Sequence, residues 1–272
     1  MEARDWDRLA TRYHREVISP FQKGVENPLP ATLKGIRGAR RMRVAEFGCG
    51  TGALLPFLSS RFGHVTAIDF SKRMLTLARR RVTGGNVRLV HRDLRNLGAL
   101  RERFDVAVVV NAILAPDTRE VNAIIRGIFR SLRPGGRLVA IFPAMEPVLY
   151  QAMLIYEEEV SAGGERKRAL SRTRRRLERS KFNFELGLYE DAGLAQKFYY
   201  EFEIRFRLQR AGFRWIRIGK VLYPWNPERI GYDLFPGQPR MWDWFVTARR
   251  PQKRHAHPAA TRPPRQRARP GC

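Results

Sequence analysis

Three glycines and two aspartates have the types and spacing of a nucleotide-binding site. The glycines alternate in Gly48-Cys-Gly-Thr-Gly52, between a short apolar run and a stretch with helical spacing. Glycines there allow a tight turn and let backbone N–H groups and a helix N-terminus approach a ligand closely. Asp69 ends the next apolar run, where its carboxylate could accept hydrogen bonds from both hydroxyls of a ribose. Asp93 follows a third run, where it could meet an adenine amino group.

Strand and helix patterns alternate from residue 44 to 143, which predicts a parallel sheet. Five apolar runs predict its strands: Arg43–Phe47, His64–Asp69, Asn86–His91, Phe104–Asn111 and Gly136–Phe142. Stripes of apolar residues between these runs have helical spacing. Strand, helix and strand in this order imply right-handed crossovers and helices on both faces. The glycine loop, Asp69 and Asp93 are therefore expected at the edge where the strands end, because open parallel sheets bind ligands there.

Four motifs in this order resemble the class I S-adenosylmethionine-dependent methyltransferases. They are Glu46-Phe-Gly-Cys-Gly-Thr-Gly52, Asp69-Phe-Ser-Lys-Arg-Met-Leu75, Arg92-Asp-Leu94 and Leu132-Arg-Pro-Gly-Gly-Arg-Leu138. The resemblance is strong over residues 40–143 and looser at both ends. It implies a three-layer, doubly wound α/β fold with a seven-stranded, mostly parallel sheet whose last strand is antiparallel. It also implies S-adenosyl-L-methionine as the cofactor.

The resemblance further implies roles for individual residues in binding that cofactor. Four would line its methionine end: Glu46, Gly48, Gly50 and Gly52. Four would contact the adenine: Phe70, Met74, Asp93 and Leu94. Asp69 would hold the ribose, and Asn111, at the end of the fourth strand, would lie near the sulfonium. Tyr13, in an amphipathic N-terminal helix, resembles a tyrosine that closes over the cofactor in many relatives.

A nicotinamide dinucleotide is the rival ligand for the glycine loop. Both cofactors contain adenosine, so Asp69 does not discriminate between them. The dinucleotide fingerprint G-x-G-x-x-G requires a glycine three residues after the second glycine, and Ala53 occupies that position. Glu46 beside the turn would also be an unfavourable neighbour for a pyrophosphate. The dehydrogenase alternative is therefore disfavoured.

Methyl transfer from a sulfonium is an in-line displacement that needs neither a metal nor a covalent enzyme intermediate. Its rate depends largely on the orientation of nucleophile and methyl group. A base matters only where the acceptor must lose a proton. His91 and His14 are weak candidates for that base, and each has a structural or solvated alternative. The sequence thus predicts no metal site and leaves the catalytic residue open.

Charge and composition divide the chain of 272 residues. It has 52 Lys and Arg against 26 Asp and Glu, a formal net charge of +26, and two cysteines. We expect an N-terminal helical segment (1–40), a Rossmann-like cofactor-binding core (41–143), an inserted, mainly helical substrate lid (144–195), the C-terminal part of the core sheet (196–250), and a basic, disordered tail (251–272).

The few cysteines and the lack of a secretory signal or an apolar run of ~18 residues predict a cytoplasmic protein without a membrane partner.

The inserted segment is expected to determine what is methylated. A small-molecule enzyme would use it as a cap, with an apolar pocket formed by Met145, Leu149, Met153 and Ile155. An RNA enzyme would use the basic stretch 166–181 and the tail to contact phosphates, although such a stretch is also typical of a solvated helix. We expect a small or medium-sized metabolite as the acceptor. RNA or ribonucleoprotein methylation is the alternative, and a non-catalytic RNA-binding module is a weaker one. The oligomeric state stays open.

Methylation of base amino groups in nucleic acid is disfavoured. Enzymes of the resembled superfamily that carry it out often have Asn/Asp-Pro-Pro-aromatic after the fourth strand. This chain has Asn111-Ala-Ile-Leu114 there.

Overall fold

Strands and helices alternate through most of the chain. The structure is a computed structural model and describes residues 6–7, 19–82, 84–178, 182–191, 193–225 and 235–252. The strands are β1 (Arg43–Phe47), β2 (His64–Asp69), β3 (Val87–His91), β4 (Phe104–Val110), β5 (Leu132–Phe142), β6 (Phe182–Asn183), β7 (Leu188–Asp191), β8 (Leu194–Lys197), β9 (Arg214–Tyr223) and β10 (Met241–Arg249). The helices are α1 (Leu29–Lys34), α2 (Leu55–Arg61), α3 (Lys72–Arg79), α4 (Thr118–Ser131), α5 (Glu146–Ser161), α6 (Arg166–Glu178) and α7 (Glu201–Ala211).

Seven strands form one sheet in the order β3-β2-β1-β4-β5-β10-β9. β1 pairs in parallel with β2 and β4, and the pairs β2–β3 and β4–β5 are also parallel. β10 runs antiparallel to both of its neighbours, β5 and β9. The predicted seven-stranded, mostly parallel sheet with an antiparallel last strand is confirmed. The strand order reverses between β1 and β4, and the carboxyl ends of strands at such a reversal flank a ligand-binding crevice.

Helices cover both faces of the sheet and complete the three layers. One face packs against α4 and α7 through residues such as Ile124 and Leu208. The opposite face packs against α1 and α2 through residues such as Leu33 and Leu58. The stripe from Val121 to Ile128 is buried on one side of α4, as its helical spacing predicts.

The inserted segment between β5 and α7 is mainly helical but also contains a small sheet that was not predicted. Its longer first part forms α5 and α6, and its last part forms a three-stranded antiparallel sheet, β6-β7-β8. β8 extends to Lys197, so the segment continues past the expected boundary at residue 195. These strands have two to four residues each, too few for an alternating pattern to stand out among charged neighbours.

The four residues expected to form an apolar acceptor pocket do not face one side of α5. Met145 and Ile155 are fully buried, whereas Leu149 and Met153 are 43% and 50% exposed. Ile155 follows Met153 by two residues and therefore points to the other side of the helix. The four side chains do not line a single pocket.

The two ends of the chain lie mostly outside the described residues. Trp6 and Asp7 are helical, whereas Tyr13, His14 and the rest of the predicted N-terminal helix lie outside the description. Only residues 251 and 252 of the basic tail are described. None of the helices in the described ranges combines the length and apolarity needed to cross a membrane.

A buried ion-pair network joins β8 to α7 and α4. The Lys197 ammonium lies 2.9 Å from the carboxylate of Glu203, and its side chain is 3% exposed. The other carboxylate oxygen of Glu203 accepts hydrogen bonds from Arg207, which also donates to the side-chain oxygen of Asn122 on α4. Glu203 therefore compensates two buried cations.

We expect Glu203→Ala to lower the free energy of unfolding by about 3 kcal/mol, because it leaves two buried cations without a counter-charge. Glu201→Ala is the matched control, since Glu201 lies in the same helical turn and pairs with Arg205 at the surface. Its loss should cost less than about 1 kcal/mol. Urea unfolding of both variants measures the difference, and equal losses would show that the buried network contributes no more stability than the surface pair.

Candidate functional site

A cleft opens where β1, β2 and β4 end, at the reversal of strand order. Eight of the residues predicted to bind a cofactor line it: Gly48, Gly50, Asp69, Phe70, Met74, Asp93, Leu94 and Asn111. Eight others complete its wall: Trp6, Arg95, Val110, Ala112, Leu114, Ala115, Glu120 and Ile124. The motifs do not include this second group, although five of its members follow the end of β4 or lie on α4 and Val110 is the last residue of β4. The parallel topology brings the two groups together.

The glycine loop needs glycine for two separate reasons. Gly48 has φ +75°, and a Cβ there would lie 2.2 Å from the Cβ of Ala112. Its glycine therefore lets the loop pack against the segment that follows β4. Gly50 has φ +51°, and a Cβ there would meet no atom within 4 Å. Since Gly50 also lines the cleft, that open space is available to a ligand.

Gly52 does not line the cleft. A Cβ on Gly52 would lie 3.0 Å from the Cα and Cβ of Ala78. Its glycine allows the start of α2 to pack closely against α3. The prediction that Gly52 binds a cofactor directly is therefore not supported by its position, although it helps to shape the loop.

Asp69 ties the glycine loop to the end of β2. One carboxylate oxygen accepts a hydrogen bond from the backbone N–H of Gly50 at 2.8 Å, and the other accepts one from Ser71 at 2.9 Å. Each oxygen keeps a second acceptor position that ligand hydroxyls can use. Burial raises the pKa of Asp69, and these backbone hydrogen bonds oppose the rise.

Glu46 lies on β1, two residues before the loop, and is buried, so unlike Gly48 and Gly50 it does not itself line the cleft. Its Oε2 has no hydrogen-bond partner among the described residues. Burial, together with the nearby charge of Asp69, raises the pKa of Glu46 to about 8. A buried carboxyl group with a free oxygen at this point can receive a cationic ligand group, and ionisation would then be favoured.

The far side of the cleft combines apolar side chains with an ion-pair cluster. Met74 is fully buried and Leu94 nearly so. The Asp93 carboxylate accepts hydrogen bonds from Arg95, which also reaches Glu120 at 3.0 Å. Burial raises the pKa of Asp93, but the hydrogen bonds and charge of Arg95 outweigh this, and the net pKa is lowered. The carboxylate is held in place at the rim of the cleft.

Asn111 follows the last residue of β4 and has φ +45°. Its amide Nδ2 donates to the carboxylate of Asp243 on β10 at 2.9 Å. Asp243 belongs to none of the motifs and was not predicted as a site residue. A single acid inside the otherwise apolar stretch Met241–Val246 was the signal that could have identified it.

Of the two weak candidates for a catalytic base, the structure describes His91 but not His14. His91 ends β3, is exposed, and places its Nε2 2.9 Å from the carbonyl oxygen of Phe70. It does not line the cleft, so its position favours a structural role in the turn after β2. His14 lies outside the described residues, as does Tyr13.

The chain is similar in sequence to known methyltransferases. A family model described as a methyltransferase domain matches residues 44–136. The phosphatidylethanolamine N-methyltransferase of Cereibacter sphaeroides is 34% identical over 141 residues, which cover 50% of this chain and 68% of that protein. The malonyl-[acyl-carrier protein] O-methyltransferase of Bacillus anthracis is 34% identical over 121 residues, which cover 43% and 44%. The chain thus spans about half the length of the first curated relatives that it matches.

Solved structures share the architecture. A SAM-dependent methyltransferase from Methanosarcina mazei superposes with a TM-score of 0.56 at 18% identity, covering 82% of this chain and 98% of that one. At this level of identity the match establishes the fold.

Alanine at Gly48 should destabilise the protein more than alanine at Gly50. Both substitutions place a side chain at positive φ, which costs about 1–2 kcal/mol. Only Gly48→Ala also forces its Cβ against Ala112, which adds about 1–3 kcal/mol. Gly38→Ala is the control, since Gly38 has φ +72° and free space around its Cα. Thermal unfolding of the three variants tests this order, and equal losses would contradict the close packing of the loop.

Glu46→Gln should change how stability depends on pH. The pKa of Glu46 rises on folding from 4.5 to about 8, so the folded protein binds more protons than the unfolded chain between these values. Folding is therefore favoured at low pH, and each pH unit in this interval removes up to about 1.4 kcal/mol. Glutamine has no charge to bury and should lose less stability between pH 5 and 8. Melting temperatures measured from pH 5 to 8 test this, and an equal fall in the wild type and in Glu46→Gln would contradict the prediction.

Proposed function

Because the chain belongs to the class I S-adenosylmethionine-dependent methyltransferases, we propose that it transfers the methyl group of S-adenosyl-L-methionine directly to a small or medium-sized metabolite. One observation carries the proposal: the cleft combines an open glycine loop with the buried carboxyl group of Asp69, and the buried carboxyl group of Glu46 lies two residues before that loop. No Lys or Arg of the described residues pairs with either carboxyl group. This is the environment of a ligand that carries both hydroxyl groups and positive charge.

The residues fit such a ligand at its separate parts. Glu46, with its free buried oxygen, would take the α-ammonium group, and the free space at Gly50 would admit the adjoining chain. Asp69 would accept the ribose hydroxyls through its remaining lone pairs. Phe70, Met74 and Leu94 would pack against the adenine, with Asp93 at its edge. When bound, the cofactor supplies an electrophilic methyl group on a positively charged sulfur.

The protein's part in the reaction is then mainly positional. Holding a nucleophile in line with the methyl group can contribute several kcal/mol to rate acceleration. The inserted segment would form the acceptor side, because α5 begins directly after β5 at the ligand-binding edge. Glu146, in its first turn, accepts hydrogen bonds from the Trp244 side chain on β10 and from the backbone of Glu201. These contacts fix the start of the segment against the sheet.

The relatives support a metabolite as acceptor. Their names specify phosphatidylethanolamine, a malonyl-acyl carrier protein and demethylmenaquinone. None of these acceptors is a nucleic acid. We therefore expect a small or medium-sized molecule as the methyl acceptor. The cytoplasmic location stays a prediction.

RNA methylation is the second candidate, and one observation favours it. Five cationic side chains of α6 are exposed: Arg166, Lys167, Arg168, Arg174 and Arg175. Arg172 instead pairs with Glu159 on α5, while Ala169 and Thr173 face the molecule's interior. An exposed basic helix of this kind can contact phosphates, and such contacts weaken with salt.

Thermal unfolding with added ligands tests the proposed function. S-adenosylmethionine and S-adenosylhomocysteine at 100 times their dissociation constants should each add ~2.7 kcal/mol of stability, whereas NAD should add none. Gly50→Ala should weaken this stabilisation because its Cβ enters the free space of the cleft, and Gly38→Ala, far from the cleft, should not. Release of S-adenosylhomocysteine in an acceptor screen would then identify the substrate class.

The other outcomes are equally informative. A shift with a short RNA that fades as salt rises would favour the second candidate. Stabilisation by NAD alone, or by neither sulfur nucleotide, would contradict methyl transfer.

A further inference from the structure

We propose that Asp243 is a positioning residue that orients Asn111 and makes the cleft discriminate in favour of a positively charged cofactor over its neutral product. The inference rests on the proposed function, because the two ligands concerned are S-adenosylmethionine and S-adenosylhomocysteine. These molecules differ by one methyl group and one positive charge on sulfur.

Asp243 lies at the start of β10, which runs antiparallel to β5 and therefore begins at the ligand-binding edge of the sheet. The residue is 8% exposed. Its Oδ2 accepts hydrogen bonds from the Tyr223 hydroxyl at 2.6 Å and from Asn111 Nδ2 at 2.9 Å. Its Oδ1 accepts one from the backbone N–H of Ala144 at 3.3 Å. Three donors and no acceptor are the surroundings of a carboxylate rather than of a carboxylic acid.

This carboxylate determines which way the Asn111 amide faces. A carboxylate accepts hydrogen bonds only, so the NH₂ group of Asn111 must point to Asp243 and its Oδ1 must point away. Oδ1 is buried and has no partner among the described residues, while Asn111 itself lines the cleft. Asp243 thus presents a free amide oxygen at the end of β4.

No cation among the described residues neutralises this charge. Lys220, on the adjacent strand, places its ammonium 3.7 Å from the centre of the Trp242 ring. Trp244, the other tryptophan beside Asp243, donates its indole N–H to Glu146 instead. The negative charge of Asp243 and the dipole of Asn111 therefore both act on the cleft, where they favour a positive charge.

Calorimetric titration of the purified protein with S-adenosylmethionine and with S-adenosylhomocysteine tests the proposal. Asp243→Asn keeps the shape of the side chain and removes its charge. It should weaken binding of the charged cofactor about tenfold while changing binding of the neutral product less than twofold. Asp105→Asn is the matched control, because Asp105 also accepts a backbone hydrogen bond, from Arg43, but lies at the opposite end of β4. That control should leave both affinities unchanged.

Two further variants keep the test decisive if Asp243→Asn folds poorly. Tyr223→Phe removes one donor and keeps the charge, so the ratio of the two dissociation constants should stay within about twofold of the wild-type ratio. Asn111→Leu removes the amide oxygen and should lower the preference for the charged ligand in the same direction as Asp243→Asn.

Equal weakening of both ligands by Asp243→Asn would show a packing role and overturn the proposal, as would unchanged affinities. A wild-type protein that binds neither ligand would overturn the proposed function itself. Binding of both ligands by the wild type, with an unchanged ratio in Asp243→Asn and in Asn111→Leu, would overturn this inference alone.

Discussion

The burial of carboxyl groups without a matching cation is the constraint around which the functional end of this molecule is built. Glu46, Asp69 and Asp243 are each less than a tenth exposed, and burial raises the pKa of all three. Within the described residues no Lys or Arg pairs with them, although the chain has 52 such side chains. A buried, uncompensated carboxyl group destabilises a fold. The proposed function accounts for its retention here, because S-adenosylmethionine would bring positive charge to the site.

The fold makes this arrangement possible. Parallel strands end at one edge, so carboxyl groups from β1 and β2 lie close together although they are distant in sequence. The antiparallel β10 starts at the same edge and adds Asp243, while its neighbour β9 ends there with Tyr223. Gly48 lets the loop after β1 meet the segment after β4 without a side chain between them. Elsewhere, as in the Lys197–Glu203–Arg207 network, buried charges are paired.

Much of the core could be predicted from the sequence, because local patterns determine it. Apolar runs and helical stripes alternate regularly from β1 to β5, and most of the motif residues that they carry meet at one cleft. The short strands β6 to β8 could not be predicted, since a few residues among charged neighbours show no clear period. The orientations of Leu149 and Met153 depend on how α5 packs, which no local pattern contains.

Asp243 could not be predicted from the sequence, for a different reason. Its partners Asn111 and Ala144 lie about a hundred residues away, and only the pairing of β10 with β5 brings them together. Gly52 shows the reverse case, since the motif suggests ligand contact and the structure assigns it to helix packing. A motif identifies residue types at a site, whereas tertiary packing decides which of them face the ligand.

Proton release on cofactor binding tests the central claim most directly. Titration calorimetry of the wild-type protein with S-adenosylmethionine at pH 7, repeated in buffers of different ionisation enthalpy, measures this quantity. If the carboxyl group of Glu46 has a pKa of about 8 in the free protein and becomes ionised beside the cationic ligand, binding should release about 0.9 proton. Binding without net proton release would contradict the account, because the buried carboxyl group would then take no part in receiving the positive charge.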